Sequence, residues 1–227
     1  MKIIQPSVVI ENQNWSELLR RIETKGRVCY KSEDRITDDS AEKFIDSIAK
    51  RGHMSVLEHS SISVKFIVDR GVSHEIVRHR PAAYSQESTR YCNYMNGTFG
   101  KHITVIEPFF FKDTISMWNE WAMSCSDAER QYERLLLLGA TPQEARSVLP
   151  NSLKTEIWMT ANIREWLHFF NLRAAKPAHP QMRQVAIPLL LKLQQLLPPI
   201  FFGIGYDKDF PEAHYAEVIC EENGGAR

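Results

Sequence analysis

Alternating and helically spaced apolar residues predict the order of strands and helices in the first third of the chain. Residues 2–11 are rich in β-branched side chains, which is typical of a strand. Residues 14–26 repeat their apolar positions at helical spacing and end in a glycine, so they predict a helix. A second helix is predicted from residue 41, with Gly52 just past its end as the stop. Residues 61–69 alternate between apolar and polar side chains, which predicts a strand with one buried face.

The middle of the chain is predicted to hold a loop rather than regular structure. A short helical stretch, 72–77, precedes Pro81, and a proline disfavours helical geometry in the residue before it. We therefore predict an irregular loop over 78–94, called here the arginine loop.

Helical periodicity dominates the second half of the chain. Residues 116–138 predict a long helix that Gly139 ends, and the Thr-Pro-Gln-Glu sequence at 141–144 is typical of a capping box that starts a short helix. Residues 153–160 fit a strand or a helix equally well on this pattern. The remaining predicted helices span 163–171 and 182–197, the second with a kink at Pro188.

The composition predicts one folded domain. The chain has 227 residues, 43% of them hydrophobic and 25% charged, which is close to the average of globular proteins. We predict a single α+β (mixed α/β) domain over residues 1–220, with a central sheet flanked by helices, and a frayed polar tail at 221–227. The 28 basic and 28 acidic side chains cancel, so a binding site for an anion has to be local.

The cysteines and the apolar runs predict a soluble cytoplasmic protein with reduced thiols. Cys29, Cys92, Cys125 and Cys220 form no C-x-x-C pair of the kind that holds zinc or makes a redox dithiol. Residues 1–15 contain only short apolar stretches, and no apolar run in the sequence reaches membrane-spanning length. We therefore expect neither a leader segment nor a membrane anchor.

The arginine loop holds the densest set of polar side chains. Arg78, Arg80 and Arg90 lie close together in sequence, and hydroxyl residues lie between them. Guanidinium groups form bidentate, charge-assisted bonds with phosphate oxygens, so the loop suits a phosphorylated ligand. Spacing alone leaves the alternative open that these arginines form an ordinary solvated surface.

A second polar cluster flanks the helix predicted at 163–171. Arg164, His168 and Asn171 are spaced so that they share one helix face, and Arg173 follows shortly after. An ordinary amphipathic helix without a ligand would explain this spacing equally well. Two such clusters in a neutral protein nevertheless favour a large anionic ligand.

The two clusters together resemble one known family. Arg78-His79-Arg80, seven intervening residues, Ser88 and then Arg90-Tyr91 resemble the signature of the flavin-dependent thymidylate synthases. Further matching segments follow in the family's order and spacing: Gly52-His53, Glu58-His59, Glu144-Ala145-Arg146, Leu149-Pro150, Asn162, Arg164 and Asn171-Leu172-Arg173. The resemblance covers about residues 40 to 200.

The resemblance implies an enzyme, a thymidylate synthase that methylates dUMP to dTMP. It implies 5,10-methylenetetrahydrofolate as the carbon donor, FAD as the hydride carrier and NADPH as the reductant. It also implies a mixed α/β fold and a homotetramer whose active sites lie between subunits. The glycine-rich Rossmann motif is absent, since Gly203-Ile204-Gly205 is not followed by a third glycine at the required spacing.

The resemblance further implies roles for individual residues. Arg173 is expected to be catalytic, by stabilising negative charge on the pyrimidine ring. The dUMP-binding set is expected to be Glu75, Arg78, Gln86, Glu87, Ser88, Thr89, Arg90, Arg146 and Arg173. The FAD-binding set is expected to be Ser55, Arg78, His79, Arg80, Gln86, Asn162, Arg164 and His168. His53 is expected to line the pocket where folate and nicotinamide approach the flavin, and no metal ligand is expected.

Several positions depart from the commonest family pattern. Glu75 stands where glutamine is frequent, Gln86 where glutamate is frequent and His168 where asparagine is known, and each exchange keeps a hydrogen-bonding group. The segment 176–180 also departs from the pattern, which leaves a ligand role for His179 open.

Two alternatives are compatible with parts of the sequence. Residues 78–91 suit a nucleic-acid-binding module, with arginines on the backbone and Tyr91 stacked on a base, although the zero net charge disfavours this. Cys92 lies just after the arginines and suggests a nucleophile, but a thiol needs an activating base or a lowered pKa for that role. A small buried side chain is the simpler interpretation of Cys92.

Overall fold

Two β-sheets run through residues 1–96 and 100–221, which are the residues described by the computed structural model. The strands are β1 Lys2–Ile4, β2 Ser7–Ile10, β3 Ser61–Asp69, β4 Ala82–Gln86, β5 Thr104–Ile106, β6 Lys154–Asn162 and β7 Glu217–Cys220. Five of them form one sheet in the order β4-β6-β3-β2-β7. β1 pairs in parallel with β5 in a separate sheet, with Lys2 opposite Thr104 and Ile4 opposite Ile106.

Helices flank the five-stranded sheet, which gives the mixed α/β fold that the sequence predicted. The helices are α1 Trp15–Val28, α2 Ser40–Lys50, α3 Arg70–Ile76, α4 Ile115–Leu137, α5 Pro142–Ala145, α6 Ile163–Arg173, α7 Pro180–Leu196 and α8 Pro198–Phe201. The tail that we predicted to be frayed, 221–227, lies outside the described residues except for Glu221, whose N–H donates to the Ile10 carbonyl at 3.0 Å.

The chain groups into two compact units, each assembled from three separate stretches. Unit 1 comprises Met1–Ser7, Phe66–Arg78 and Tyr84–Trp158. Unit 2 comprises Val8–Lys65, His79–Ala83 and the stretch from Met159 onward. Strands β3, β4 and β6 each begin in one unit and end in the other. That residues 1–220 form a single catalytic domain stays a prediction.

The prediction of one strand over 2–11 is wrong, because Gln5 and Pro6 separate β1 from β2. Proline lacks the amide hydrogen that a strand ladder needs, so strand pairing is interrupted there. As a result, β1 joins the two-stranded sheet and β2 joins the five-stranded sheet.

Gly26 does not end helix α1, contrary to the prediction, since the helix continues to Val28. Packing explains the glycine. A Cβ atom at this position would lie 2.7 Å from ring carbons of Phe44 and 2.9 Å from Val56 Cγ1. These distances are far shorter than an optimal carbon–carbon contact, so the glycine permits a close approach that alanine would obstruct.

Gly52 and Gly139 behave as predicted, because each follows a helix and adopts a positive φ, +74° and +95° respectively. This left-handed conformation is easily reached only by glycine. The capping box is also confirmed, since the Glu144 carboxylate accepts hydrogen bonds from the Thr141 N–H and hydroxyl at 2.8 and 2.7 Å.

The arginine loop is more regular than predicted, because residues 82–86 form strand β4 at one edge of the sheet. An edge strand buries less surface than a central one, and β4 alternates only between half-buried and exposed side chains. Its sequence therefore lacks the apolar alternation that reveals β6, where the open choice at 153–160 is resolved as a strand.

Each unit contains buried apolar side chains. In unit 1, Tyr94, Ile103, Cys125, Tyr132 and Leu153 are buried together. In unit 2 the buried rings include those of Trp166, Phe169, Phe170 and Phe201, with Phe170 stacked on Trp166 and edge-on to Phe201. Pro188 lies inside α7 without ending it, and its kink stays a prediction.

Candidate active site

Helix α6 carries several predicted flavin residues and is held in place by buried side chains and hydrogen bonds. Its apolar side is buried, and the Trp166 indole N–H donates to the Ile62 carbonyl at 3.1 Å. Asn162 caps the helix, because its side-chain oxygen accepts a hydrogen bond from the Glu165 N–H at 2.9 Å. Arg164 and His168 remain exposed on the opposite side. Burial of the aromatic face thus fixes the direction in which the polar face points.

His79 lies at the centre of a hydrogen-bonded chain in unit 2. The residue is 3% exposed, its Nδ1 lies 2.8 Å from Glu165 Oε1, and its Nε2 lies 3.1 Å from Arg173 Nε. Phe169 and His168 pack on the same ring, at centroid distances of 4.9 and 5.4 Å. Three predicted site residues therefore meet here, and Glu165 joins them although the sequence did not predict it.

The direction of each hydrogen bond follows from the chemistry of arginine. A guanidinium group can only donate, so His79 Nε2 accepts from Arg173 and His79 Nδ1 carries the proton that is donated to Glu165. Burial lowers the pKa of His79 below its ordinary value of 6.5; the hydrogen bond with Glu165 raises it, and the nearby Arg173 charge lowers it again. The imidazole is therefore neutral at physiological pH.

The cluster around His79 has the ligand spacing of a metal site, but its hydrogen bonds and charge disfavour a metal ion. Potential ligand atoms of His79, Glu165 and His168 all lie within 4.8 Å of one another. Both ring nitrogens of His79 already take part in hydrogen bonds, and the Arg173 guanidinium next to them repels a cation. The arrangement suits an anionic ligand better than a metal ion, and the expectation of no metal stays a prediction.

A cavity of about 380 Å³ in unit 2 brings three other predicted residues together. The lining includes His53, Ser55 and Arg164. Arg164 Nη1 donates a hydrogen bond to Glu58 Oε1 at 2.6 Å, and 57% of the arginine side chain is exposed. Predicted flavin and folate residues that are far apart in sequence therefore share one cavity.

A larger open groove of about 750 Å³ shares Tyr30, Ile48 and His53 with that cavity. Basic side chains outnumber acidic ones along it: Arg27, Lys31, Arg35, Lys43 and Arg51 against Asp34 and Asp39. We call it the basic groove. Its charge favours anionic ligands near His53.

The predicted dUMP residues lie in unit 1, with the exception of Arg173. Arg146 follows helix α5, and its Nη1 lies 3.2 Å from the hydroxyl oxygen of Thr89. The Ser88 hydroxyl accepts a hydrogen bond from the Arg90 N–H at 3.3 Å, which fixes the turn that follows β4. The Arg146 guanidinium and the hydroxyls of Ser88 and Thr89, all from the predicted dUMP-binding set, are thereby held in place.

Gln86 and Glu87 have partners inside unit 1. Gln86 Nε2 donates to the hydroxyls of Ser73 and Thr155 at 3.0 and 3.2 Å. The two carboxylate oxygens of Glu87 accept from the Tyr94 hydroxyl at 3.0 Å and from Lys154 Nζ at 2.9 Å. These side chains hold the end of β4 in place, and their roles in dUMP and FAD binding stay predictions.

Lys154 is a half-buried cation that the sequence did not identify. Burial lowers the pKa of Lys154, but the hydrogen bonds that it donates to Glu156 and Glu87 outweigh this effect and raise the pKa above 10.5, so the ammonium stays charged. Lys154 has Glu156 close by in β6 and Glu165 has Arg164 next to it in α6, so the sequence pattern gave no signal that would have revealed either residue.

Arg78, Arg80 and Arg90 have exposed side chains, and Glu75 is half-buried on helix α3. The Arg90 guanidinium lies 5.5 Å from the centroid of the Tyr91 ring, a cation–π distance. The three guanidinium groups are therefore accessible to a ligand.

The Cys92 thiol lacks the properties of a catalytic nucleophile. Burial raises its pKa above the ordinary value of 9.0, and the Glu87 carboxylate raises it further. Cys92 is therefore held as the neutral thiol, whereas a nucleophilic cysteine reacts as the thiolate. The interpretation of Cys92 as a small packing residue fits this environment.

Comparison with solved structures defines the class of fold. The crystal structure of a UMP/dUMP methylase, PolB, from Streptomyces cacaoi bound with 5-Br dUMP is similar with a TM-score of 0.74 and 22% identity, covering 89% of this chain and 96% of that chain. The same methylase bound with 5-Br UMP gives a TM-score of 0.70 and 20% identity. The fold of this chain is therefore similar to that of this methylase.

Sequence comparison defines the family. The Thy1 family, described as thymidylate synthase complementing protein, matches residues 12–199. The flavin-dependent thymidylate synthase of Geobacter sulfurreducens is 33% identical over 186 aligned positions, a match that covers 79% of this chain and 78% of that protein. The corresponding enzyme of Pyrococcus furiosus is 31% identical over 80% of this chain and 72% of its own length. The chain belongs to the flavin-dependent thymidylate synthase family, which confirms the predicted methylating enzyme and leaves the nucleic-acid alternative without support.

Within residues 1–96 and 100–221, none of the helices is long and apolar enough to cross a membrane.

Proposed function

We propose that the chain converts dUMP to dTMP, with 5,10-methylenetetrahydrofolate as the carbon donor, FAD as the hydride carrier and NADPH as the reductant. The observation that carries the proposal is the fixed guanidinium of Arg173, which donates to a buried neutral histidine in a protein of this family. A positive charge held in place next to a pyrimidine stabilises the negative charge that develops on the ring.

The arrangement around Thr89 supports a phosphate site for dUMP. Arg146 and Thr89 are already hydrogen-bonded, and Ser88 holds the adjoining turn. Because guanidinium and hydroxyl groups bind phosphate oxygens without a glycine-rich loop, this segment can anchor the nucleotide. Arg78 and Arg90 would add exposed positive charge to it.

The donor set in unit 2 fits FAD. The cavity lined by His53, Ser55 and Arg164 presents a half-exposed guanidinium and a hydroxyl, which are suitable donors for a diphosphate. Asn162, Arg164, His168 and Arg80 of this unit would hold the cofactor there, and the predicted FAD role of Arg78, a residue of unit 1, stays a prediction. When bound, FAD supplies hydride transfer, which protein side chains cannot provide.

His79 is proposed to belong to the flavin site, although its ring nitrogens are engaged with Glu165 and Arg173. The ring thus shapes the site and orients a charged neighbour, and a direct contact with the cofactor would come from its backbone. Gln86 Nε2 is engaged with the hydroxyls of Ser73 and Thr155, so a cofactor contact through this nitrogen would compete with those two bonds.

The basic groove supports anionic co-substrates near His53. NADPH carries phosphates and folate carries carboxylates, and both groups are attracted by an excess of arginine and lysine. We propose that the nicotinamide and pterin ends approach the cavity at His53, with their charged parts over the groove. We further propose a cytoplasmic homotetramer with active sites formed between subunits.

Release of tritium from dUMP labelled at C5 tests this function. Purified protein that is loaded with FAD should release tritium and form dTMP only when methylenetetrahydrofolate and NADPH are both present. Omission of each component in turn, and replacement of NADPH by NADH, identifies what the reaction needs. A protein that neither copurifies with flavin nor changes the flavin spectrum on titration would refute the proposal.

A further inference from the structure

We propose that Glu165 is a positioning residue, which acts through His79 to hold the Arg173 guanidinium in its working orientation. The inference rests on the proposed function for the role of Arg173 in turnover. It assigns a task to a carboxylate that lies outside the predicted dUMP and FAD sets.

Continuity of the hydrogen bonds is the first argument. Glu165 Oε1, the two ring nitrogens of His79 and Arg173 Nε form one chain with steps of 2.8 and 3.1 Å. Only one protonation pattern satisfies both bonds, because arginine cannot accept: the ring proton sits on Nδ1 and faces the carboxylate. The carboxylate thereby selects the ring tautomer that offers Nε2 to Arg173.

Immobility of the two inner groups is the second argument. Glu165 is 7% exposed and His79 is 3% exposed. The backbone N–H of Glu165 is tied to Asn162, and Phe169 packs on the His79 ring. Because the His79 ring cannot move freely, the position of the Glu165 carboxylate determines where the ring accepts the hydrogen bond from Arg173.

The charges around the ring agree with this arrangement. Burial and the adjacent Arg173 charge both disfavour protonation of His79, whereas the hydrogen bond to Glu165 favours it. His168 is a further titratable neighbour of the ring. A protonated His79 would have no acceptor left for Arg173 and would repel it.

Nitrogen NMR on the full-length protein, labelled at histidine and arginine, tests the chain without reference to turnover. We expect His79 to show a protonated Nδ1 and an unprotonated Nε2, and Arg173 to show a protected Nε–H signal. The variants His79→Gln and Arg173→Lys assign these resonances by their disappearance. In Glu165→Ala, we expect the Arg173 Nε–H signal to lose its protection and the His79 proton to be redistributed between the two nitrogens.

Kinetics of the flavin-loaded enzyme tests the consequence. Glu165→Ala should lower kcat by about tenfold or more while changing the KM for dUMP less than about threefold, the pattern of a lost transition-state interaction. Glu165→Gln keeps the length and one acceptor oxygen, so it should retain more turnover than the alanine variant. Glu129→Ala is the matched control, because Glu129 accepts hydrogen bonds from the Met1 ammonium and the Ile103 N–H and belongs to neither the predicted dUMP set nor the predicted FAD set. It should leave kcat unchanged.

Two results would overturn the proposal. A protonated Nε2 on His79 in the parent protein contradicts the assigned tautomer, and unchanged kcat in folded, flavin-loaded Glu165→Ala contradicts the positioning role. A parent enzyme without tritium release would instead refute the proposed function. The nitrogen spectra would still decide whether Glu165 orders Arg173.

Discussion

Arg146 Nη1 lies 3.2 Å from the hydroxyl oxygen of Thr89, although 57 positions separate the two residues in the sequence. Thr89 is buried, whereas Arg146 is exposed. The buried hydroxyl therefore steadies a guanidinium that is accessible to a ligand. The pair joins the short helix α5 to the turn after β4, and both segments belong to the predicted nucleotide site.

This pair predicts graded losses of dUMP affinity. Arg146→Ala removes a charge-assisted donor and should raise the dUMP Kd by about a hundredfold, on the order of 3 kcal/mol. Thr89→Val keeps the shape but removes the hydroxyl, and should raise the Kd by about tenfold or less. Calorimetric titration of dUMP measures both, with Arg130→Ala as the control because Arg130 pairs with Asp127 on the exposed side of α4. Equal affinities in all three variants would contradict the assignment.

Arg173→Lys separates geometry from charge. Lysine keeps one positive charge but replaces a planar fork with a point donor, so it cannot reproduce the Nε bond to His79 together with a ligand contact. We expect kcat to fall by about a hundredfold or more, on the order of 3 kcal/mol, with a smaller change in dUMP affinity. Steady-state kinetics of the flavin-loaded variant measures this. Near-normal turnover would refute the role of Arg173 and leave the family assignment intact.

The neutral state of His79 predicts a loss of stability in acid. Because burial holds its folded pKa below 6.5, the unfolded chain binds the proton more readily as the pH falls through that value. The stabilisation is complete above pH 6.5 and declines below it, by up to about 1.4 kcal/mol per pH unit until the folded pKa is reached. Urea unfolding at about pH 7.5 and about pH 5.5 measures the effect. His79→Gln should show a weaker pH dependence, and an equal dependence would exclude this explanation.

Replacement of all four cysteines should preserve the reaction. Cys29, Cys92, Cys125 and Cys220 are free thiols, and burial raises the pKa of both Cys92 and Cys125. We expect dTMP formation within about tenfold of the parent, a barrier change of under about 1.4 kcal/mol. A folded Cys92→Ala protein whose activity falls by several orders of magnitude would establish nucleophilic catalysis instead.

Gly26→Ala should destabilise the protein, although alanine normally favours a helix by about 1 kcal/mol. The new Cβ would lie 2.7 Å from Phe44 ring carbons and 2.9 Å from Val56 Cγ1, so those side chains must move. We expect the unfolding free energy to fall by about 1–3 kcal/mol, as in other overpacked sites. Gly203→Ala is the control, since a Cβ there would have no neighbour within 4 Å. A stability equal to that of the control would disprove the packing role.

Local chemistry explains which elements could be predicted. The alternation over 61–69 gave strand β3 with its bounds intact, because one face of that strand is buried along its length. Strand β4 escaped prediction because no apolar alternation marks an edge strand. Gly26 was mistaken for a helix stop, since a sequence does not distinguish a glycine required by a neighbouring ring from one required by its own φ.

The residues proposed for the site follow from the family motif, whereas the contacts among them could not be predicted from the sequence. Arginines of the family motif were found by spacing, whereas the bond between His79 and Glu165 joins positions 86 residues apart. Glu165 looked like an ordinary helix carboxylate until its burial was known. Long-range pairing of this kind depends on the fold and leaves no local pattern in the chain.

The interleaved course of the chain through its two units bears on how such a protein can be divided or recombined. Each unit is built from three separate stretches, and the middle stretch of unit 2 consists of only the five residues His79–Ala83. No contiguous part of the coding sequence specifies either unit. Neither unit can therefore be exchanged between proteins as one continuous segment, and a polypeptide cut within residues 84–158 would divide both units between its two fragments.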